Sequence, residues 1–153
     1  MTDPLSSSSS PAASATPSSP PAPAPSPLIQ AGARWFWWIA GLSLVNVVMA
    51  QSGSQSHFVV GLAMTELAGA MFAQSQALGF VVDAVVIGFF VLMGQQAQRG
   101  RLWAFYAGAA LYVVDALIYA SYGMWMPLAF HAVALYFIGR GALALRQAST
   151  SSV

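Results

Sequence analysis

Residues 80–97, FVVDAVVIGFFVLMGQQA, decide the fold of this chain. The stretch is almost wholly apolar, and at about 1.5 Å per helical residue it nearly covers a bilayer core about 30 Å thick. It contains one acid, Asp83, and arginines follow it at positions 99 and 101. This pattern predicts a transmembrane helix whose end is anchored on one side of the membrane.

The composition of the whole chain points the same way. Of the 153 residues, 58% are hydrophobic and only 6% are charged, whereas about 25% are charged in ordinary soluble domains. Lipid tails solvate apolar side chains directly, so a multi-pass membrane protein needs few charges. With a net charge of +1 and no basic run, we expect no nucleic-acid partner. The absence of cysteine excludes disulfides, thiolate metal sites and thiol catalysis.

Three other segments repeat the pattern of residues 80–97. We therefore predict an all-α polytopic membrane protein, a four-transmembrane-helix bundle built from residues 33–146. The predicted spans are about 34–51, 79–97, 102–122 and 127–145. A further segment, 57–73, is moderately apolar but carries Glu66 and several small residues. It can form a fifth span, a re-entrant piece or a short interfacial helix, and we prefer a short helix at the outer face.

Residues 1–30 form a separate unit. The run 6–27 is almost wholly Ser, Pro and Ala, so it has no apolar face whose burial could offset the entropy lost on ordering. We predict a disordered N-terminal tail. It does not resemble a signal peptide, because it has neither a basic start nor an apolar core.

The arginines predict the topology. With four spans they all fall on one side of the membrane, or in the half of the last span nearest that side: Arg34, Arg99, Arg101, Arg140 and Arg146. The opposite loops contain no lysine or arginine. The positive-inside rule then places both termini in the cytoplasm. Five spans would separate the arginines onto opposite sides.

Each predicted span contributes one strongly polar residue to the outer half of the membrane. At the helical rise these residues lie about 6–10 Å inside the outer ends of their spans; they are Asn46, Asp83, Asp115 and His131. Glu66 and His57, in the segment between the first two spans, can lie above them. Because an ionised carboxylate is costly against lipid, we expect these groups to face inward and to share one pocket.

The third predicted span has a recognisable face. Residues at three- and four-residue steps lie on one side of a helix, and here they are Ala104, Gly108, Leu111, Asp115, Tyr119 and Tyr122. Small residues at the cytoplasmic end of this face allow another helix to approach closely. The outer end is polar, so Tyr119 joins the candidate binding residues, and Tyr112, Tyr122 and Tyr136 offer further hydroxyls.

The polar pocket has several interpretations. Asp83, Asp115 and His131 can form a proton relay or ligand site, or they can be hydrogen-bond glue that fixes the helix order. With Glu66 they also have acceptable ligand types for a metal, but no HxxxH spacing supports one. Haem ligation by His57 and His131 is weaker, because His57 sits beside a loop. We expect no cofactor, and the metal question stays open.

The chain resembles small four-span membrane proteins of bacteria that carry no assigned activity. The resemblance rests on ARWFWWIAGLSLVN, SGSQSHFVVGL, FVVDAVVIGFFVLMG, LYVVDALIY and LAFHAVAL, which together cover most of residues 33–145. It implies four spans and a location in the bacterial plasma (inner) membrane. It implies no reaction.

Catalytic motifs are absent: there is no Gly-rich phosphate loop, GxSxG, HExxH or CxxC. We therefore expect a non-enzymatic accessory or assembly subunit whose partners are the lipid bilayer and either other membrane subunits or further copies of itself. The alternative is proton- or small-cation-linked transport or sensing through the Asp/His pocket.

Overall fold

The computed structural model describes residues 26–52 and 61–151. Within these residues the chain is all helical, with no strand. The helices are α1 Pro27–Gln51, α2 Ala63–Met71, α3 Gln76–Gln98, α4 Leu102–Ser121 and α5 Trp125–Thr150. All except α2 are long and apolar enough to cross a membrane. The predictions of an all-α fold and of four helices long and apolar enough to span a membrane are confirmed.

Helix α1 begins inside the predicted tail, so residues 27–30 belong to the bundle. The Ser26 hydroxyl caps the helix by accepting a long hydrogen bond from the Ile29 amide, at 3.5 Å, and Pro27 occupies the first helical turn. Proline suits that position because its missing N–H would have no partner there and its φ is already helical. The rest of the predicted tail, 1–25, lies outside the described residues.

Helix α2 is shorter than the predicted segment 57–73. It has 9 residues and spans about 14 Å at the helical rise, less than half of a bilayer core. It is therefore not a fifth span. Residues 53–60, which include His57, lie outside the part of the chain that the structure describes.

Helix α5 extends five residues beyond the predicted span of about 127–145, to Thr150. The polar side chains in its last turns bond back to carbonyls of their own helix, with the Ser149 hydroxyl donating to the Leu145 oxygen at 3.0 Å and that of Thr150 to the Gln147 oxygen at 2.9 Å. These bonds satisfy the polar residues without ending the helix.

The four long helices form a closed ring. α1 packs against α3 and α5, α4 packs against the same two helices, and α2 lies against α3 and α4. Two tight turns reverse the chain between α3 and α4 and between α4 and α5; they contain Gly100 at φ 73° and Gly123 at φ 66°, a backbone region that favours glycine. Helix α4 is therefore antiparallel to both α3 and α5, and α2 lies against α3 and α4 in the half of the bundle where α3 begins and α4 ends.

The centre of the bundle is the ring of Phe36. Its centroid lies 6.4 Å from that of Phe90 and 6.0 Å from that of Phe105. The ring fills the space over Gly108, where any added Cβ would overlap it. One buried side chain of α1 thus sets the spacing and rotation of α3 and α4.

A second close approach joins α1 to α5. A Cβ placed on Gly32 would lie 2.8 Å from the Cα of Gly141, so the two backbones nearly touch. Next to this contact the Trp35 ring stacks on Phe137, with centroids 5.2 Å apart. Small residues that permit backbone contact are a common way to join helices in lipid, where no hydrophobic force drives association.

The arginines all lie at the end of the bundle away from α2, or in the half nearest that end. Arg34 is near the start of α1, Arg99 and Arg101 flank the α3–α4 turn, and Arg146 is near the end of α5; all are exposed. Arg140 is also exposed, and its guanidinium lies 5.7 Å from the centroid of the Tyr136 ring. Which side of a membrane this end faces stays a prediction.

Candidate functional site

The buried face of α4 presents a carboxylate to an imidazole of α5. Asp115 is 0% exposed and His131 is 1% exposed. The Nε2 atom of His131 lies 2.9 Å from Oδ2 of Asp115. The structure thus brings together two of the predicted site residues, which lie 16 positions apart in the chain.

The same carboxylate also holds the start of α2. The backbone amide of Ala63 donates to Oδ2 of Asp115 at 3.0 Å, and that of Met64 donates to Oδ1 at 2.9 Å. Leu62, at the N-cap position of α2, makes no side-chain capping bond. Asp115 therefore replaces the missing cap from another helix, and its negative charge meets the positive end of the α2 dipole.

The hydrogen bonds of His131 restrict where the shared proton can be. Its Nδ1 atom lies 2.8 Å from the carbonyl oxygen of Pro127, and a carbonyl only accepts, so Nδ1 carries a hydrogen. The remaining proton lies between Nε2 and Oδ2 of Asp115, and in either position the pair has no net charge.

Two tyrosines of α4 cover the imidazole. The Tyr112 ring stacks on it, with centroids 4.1 Å apart and planes 16° apart, and the Tyr119 ring meets it edge-on at 5.3 Å. The Tyr119 hydroxyl lies 3.3 Å from the Gly61 carbonyl oxygen and 3.3 Å from a carboxylate oxygen of Glu66. Both of these oxygens are acceptors. The single hydroxyl proton of Tyr119 is therefore shared between Gly61, just before α2, and Glu66 in α2.

Asn46 lies against the same segment. The side chain of Asn46 occupies the space over Gly61, where an added Cβ would overlap the amide nitrogen. Asn46 is partly buried near the end of α1, and Glu66 is exposed on α2. Five of the predicted residues therefore surround the entry into α2: Asn46, Glu66, Asp115, Tyr119 and His131. Whether they bind a ligand or relay a proton stays a prediction.

Asp83, the sixth predicted residue, is not part of this hydrogen-bond network. It is 7% exposed, and its Oδ1 atom has no hydrogen-bond partner among the described residues. Among the described residues it makes no hydrogen bond with Asp115 or His131, so hydrogen bonds do not join it to that pair. Equal depth does not bring two residues together, because the rotation of each helix also decides which neighbour a side chain meets.

No protein-family model, curated protein or solved structure matches this chain. No relative therefore supplies an activity, and the side chains themselves have to indicate one. In the described ranges, 26–52 and 61–151, no group of three or more His, Cys, Asp or Glu side chains could hold a metal ion. His57, the second ligand of the haem interpretation, lies outside those ranges.

The buried face of α4 differs in two places from the predicted one. Tyr122 is exposed because α4 ends at Ser121 and Tyr122 caps it. Tyr112 is buried, whereas Leu111 is only partly covered. Tyr112 was detectable in principle, since it lies three residues before Asp115 and four after Gly108, a helical spacing equal to that of Leu111.

Sequence inspection could not find the main-chain donors of the site. The amides of Ala63 and Met64 belong to the main chain, so no residue type marks them in the sequence. Ser43 is buried in α1, and a serine in such a helix is most often a simple contact between helices. These groups become visible only when the helices are packed.

Proposed function

We propose that this chain is a non-enzymatic multi-pass membrane protein that serves as an accessory or assembly subunit. The proposal rests on how Asp115 is used: its two oxygens accept two backbone amides and face the imidazole of His131. All three donors belong to the protein itself. The carboxylate is thus fully engaged in holding helices together.

A satisfied polar network of this kind stabilises one arrangement of helices. In a buried site of low dielectric, each bond is stronger than in water, and any alternative packing would leave a donor or acceptor unpaired. Because Asp115 and His131 join α4, α5 and α2, they specify the position of α2 on the bundle end. We infer that the pair maintains this end as a surface of fixed shape.

The outward side of α2 is the surface we propose for a partner membrane subunit or a second copy of the chain. It carries Met71, which is 70% exposed, Leu67, which is exposed, and one charge, Glu66. Apolar side chains with a single charge at the end of a bundle suit contact with another protein or with the lipid interface. The arginines at the opposite end support an orientation with both termini cytoplasmic, and the proposed bacterial plasma membrane rests on the resemblance alone.

Proton- or cation-linked transport or sensing is the second candidate. The Asp115–His131 pair offers it little support, since the fixed amides and the Pro127 carbonyl hold both groups in place. Its support comes from Asp83, whose Oδ1 atom lacks a partner within the described segments.

A comparison of folding with flux separates the two functions. Asp115→Asn, Asp83→Asn and, as the control for an exposed acid, Glu66→Gln would be purified in detergent and reconstituted in liposomes. The accessory role predicts low folded yield for Asp115→Asn, near-normal yield for Glu66→Gln, and no proton or cation flux through the parent protein. Flux in the parent that disappears in a normally folded Asp115→Asn protein would refute it.

A second measurement addresses assembly directly. Native mass spectrometry of the parent protein, extracted gently from its membrane, should show it with copies of itself or with another membrane protein. The assembly role would be contradicted if the parent protein is strictly monomeric and if Met71→Lys, which adds a charge to the α2 surface, leaves the native mass unchanged.

A further inference from the structure

Three arginines lie around one contact between the α3–α4 turn and α5. A Cβ placed on Gly100 would be 3.8 Å from Cδ1 of Leu145. Arg99 and Arg101 are the chain neighbours of Gly100, and Arg146 follows Leu145. Each of the three Cα atoms is thus about 3.8 Å from that of a residue in this contact, and all three side chains are exposed. These three residues are the arginine cluster.

The acids of the described residues lie far from this cluster. The acids of the chain are Asp3, Glu66, Asp83 and Asp115. Asp83 comes 16 positions before Arg99 on α3, which is about 24 Å at the helical rise, and Asp115 comes 14 positions after Arg101 on α4, about 21 Å away. Glu66 belongs to α2, which lies in the opposite half of the bundle, and Asp3 lies outside the described residues. No described acid is therefore placed to balance the positive charge of the cluster.

The lengths of the helices place the cluster at the level of lipid phosphates. Helix α3 has 23 residues and α4 has 20, so they extend about 34 Å and 30 Å. A hydrocarbon core is about 30 Å thick, and a headgroup layer lies on each side of it. The turn between two such helices therefore lies in a headgroup layer, where lipid phosphates are the nearest anions in the membrane.

Apolar side chains adjoin the cluster on the side of the hydrocarbon core. Trp103, two residues after Arg101, is 50% exposed, and Leu143, three residues before Arg146, is 57% exposed. An indole ring favours the level of the headgroups. Together these side chains offer acyl chains a surface next to the charges, which a free phosphate ion does not use.

We propose that Arg99, Arg101 and Arg146 bind the headgroup of one anionic phospholipid, with its acyl chains against the apolar surface beside them. A guanidinium group forms paired hydrogen bonds with phosphate oxygens, and basic groups at the ends of transmembrane helices can hold anionic headgroups. The site goes beyond the proposed accessory role and does not depend on it.

Arg140 separates a site from a general attraction to an anionic surface. It is exposed and lies on the same helix as Arg146, but six residues earlier, about 9 Å further into the bundle. Its Nη1 atom donates to the Tyr136 hydroxyl at 3.4 Å. General attraction involves every exposed arginine, whereas the proposed site needs the cluster and not Arg140, so Arg140→Gln is the matched control.

Native mass spectrometry of the full-length protein in detergent, titrated with lipid, tests the site. The probes are dioleoyl phosphatidylglycerol and dioleoyl phosphatidylcholine, which share their acyl chains and differ in headgroup charge. An arginine near an anionic membrane surface contributes about fivefold to affinity. We therefore expect one phosphatidylglycerol to bind on the order of 100-fold more tightly than phosphatidylcholine, because three arginines contribute.

Substitution of the cluster should remove this preference stepwise. Arg99→Gln, Arg101→Gln and Arg146→Gln should each weaken phosphatidylglycerol binding about fivefold, and Arg99→Gln combined with Arg146→Gln about 25-fold. Phosphatidylcholine binding should not change. Arg140→Gln should stay within about twofold of the parent. All of these side chains are exposed, so melting temperatures without added lipid should match the parent, and three single variants keep the test valid if one of them fails to fold.

Inorganic phosphate distinguishes a lipid site from a site for a soluble anion. At millimolar concentration it should leave phosphatidylglycerol bound, and its displacement of the lipid would overturn the lipid assignment. The proposal also fails if the parent binds both lipids equally, or if the folded cluster variants weaken phosphatidylglycerol binding no more than Arg140→Gln does. As an independent measurement, phosphatidylglycerol should raise the melting temperature of the parent and of Arg140→Gln, but not that of the double variant.

Discussion

Asp115→Asn is the substitution that most directly tests the buried pair. Asparagine has the shape of aspartate, so no cavity forms, but it carries no charge and one of its two terminal atoms is a donor. The amide oxygen can replace Oδ1 or Oδ2 but not both. Because the carboxylate accepts from the amides of Ala63 and Met64, one of them then loses its acceptor.

The expected loss of stability follows from these bonds. A buried N–H left without an acceptor costs about 1–3 kcal/mol, and a hydrogen bond to a charged group contributes about 1.5–3 kcal/mol. Together they give about 2.5–6 kcal/mol, a range that includes the cost of about 3–5 kcal/mol for removing one partner from a buried ion pair. A neutral hydrogen bond between membrane helices averages only about 0.6 kcal/mol, so Asp115→Asn is expected to exceed it severalfold.

The assay is reversible unfolding in mixed micelles, with sodium dodecyl sulfate as the denaturant and tryptophan fluorescence as the signal. Tyr119→Phe is the matched control, because it removes one neutral hydroxyl from the same site and should cost about 0.6 kcal/mol. His131→Gln and the double variant with Asp115→Asn complete a cycle. We expect a coupling energy of about 1–3 kcal/mol for two residues in direct contact.

Two results would refute this reasoning. An Asp115→Asn protein that unfolds within about 1 kcal/mol of the parent, which is no more than the average effect of a point substitution, would show that the pair does not fasten the bundle. A coupling energy near zero would show that Asp115 acts on α2 alone and that its contact with His131 contributes nothing to stability.

Two further predictions concern packing and topology. Gly108→Ala should destabilise the protein by about 1–3 kcal/mol in the same assay, because the new Cβ overlaps the ring of Phe36. Gly88→Ala is the control and should not destabilise the protein, because nothing lies within 4 Å of a Cβ added there. Adding Phe36→Leu to Gly108→Ala should recover part of the lost stability. A reporter inserted after Gln76 should be found outside the cytoplasm and one after Gly100 inside it, whereas an external reporter at Gly100 would contradict the four-span topology.

Lipid solvation is the reason that much of the fold could be predicted from the sequence. A bilayer accepts nearly any apolar helix of sufficient length, so the residue pattern alone identified the four long helices. Two of these helices extend beyond their predicted spans, α1 back to Pro27 and α5 on to Thr150. Those ends depend on capping and on side-chain bonds to the helix's own carbonyls, which leave little trace in hydropathy. The same pattern placed the strongly polar residues at similar depths.

Which hydrogen-bond partners those polar residues have was decided only by tertiary structure. Asp83 and Asp115 look alike in sequence, each a single acid in an apolar span, yet one accepts three donors and the other has an oxygen without a partner among the described residues. The difference arises because two of those donors are main-chain amides about 50 residues away, at the start of α2. Depth follows from counting along one helix, whereas rotation follows from how Phe36 fits over Gly108 between helices, and only the packed bundle contains that contact.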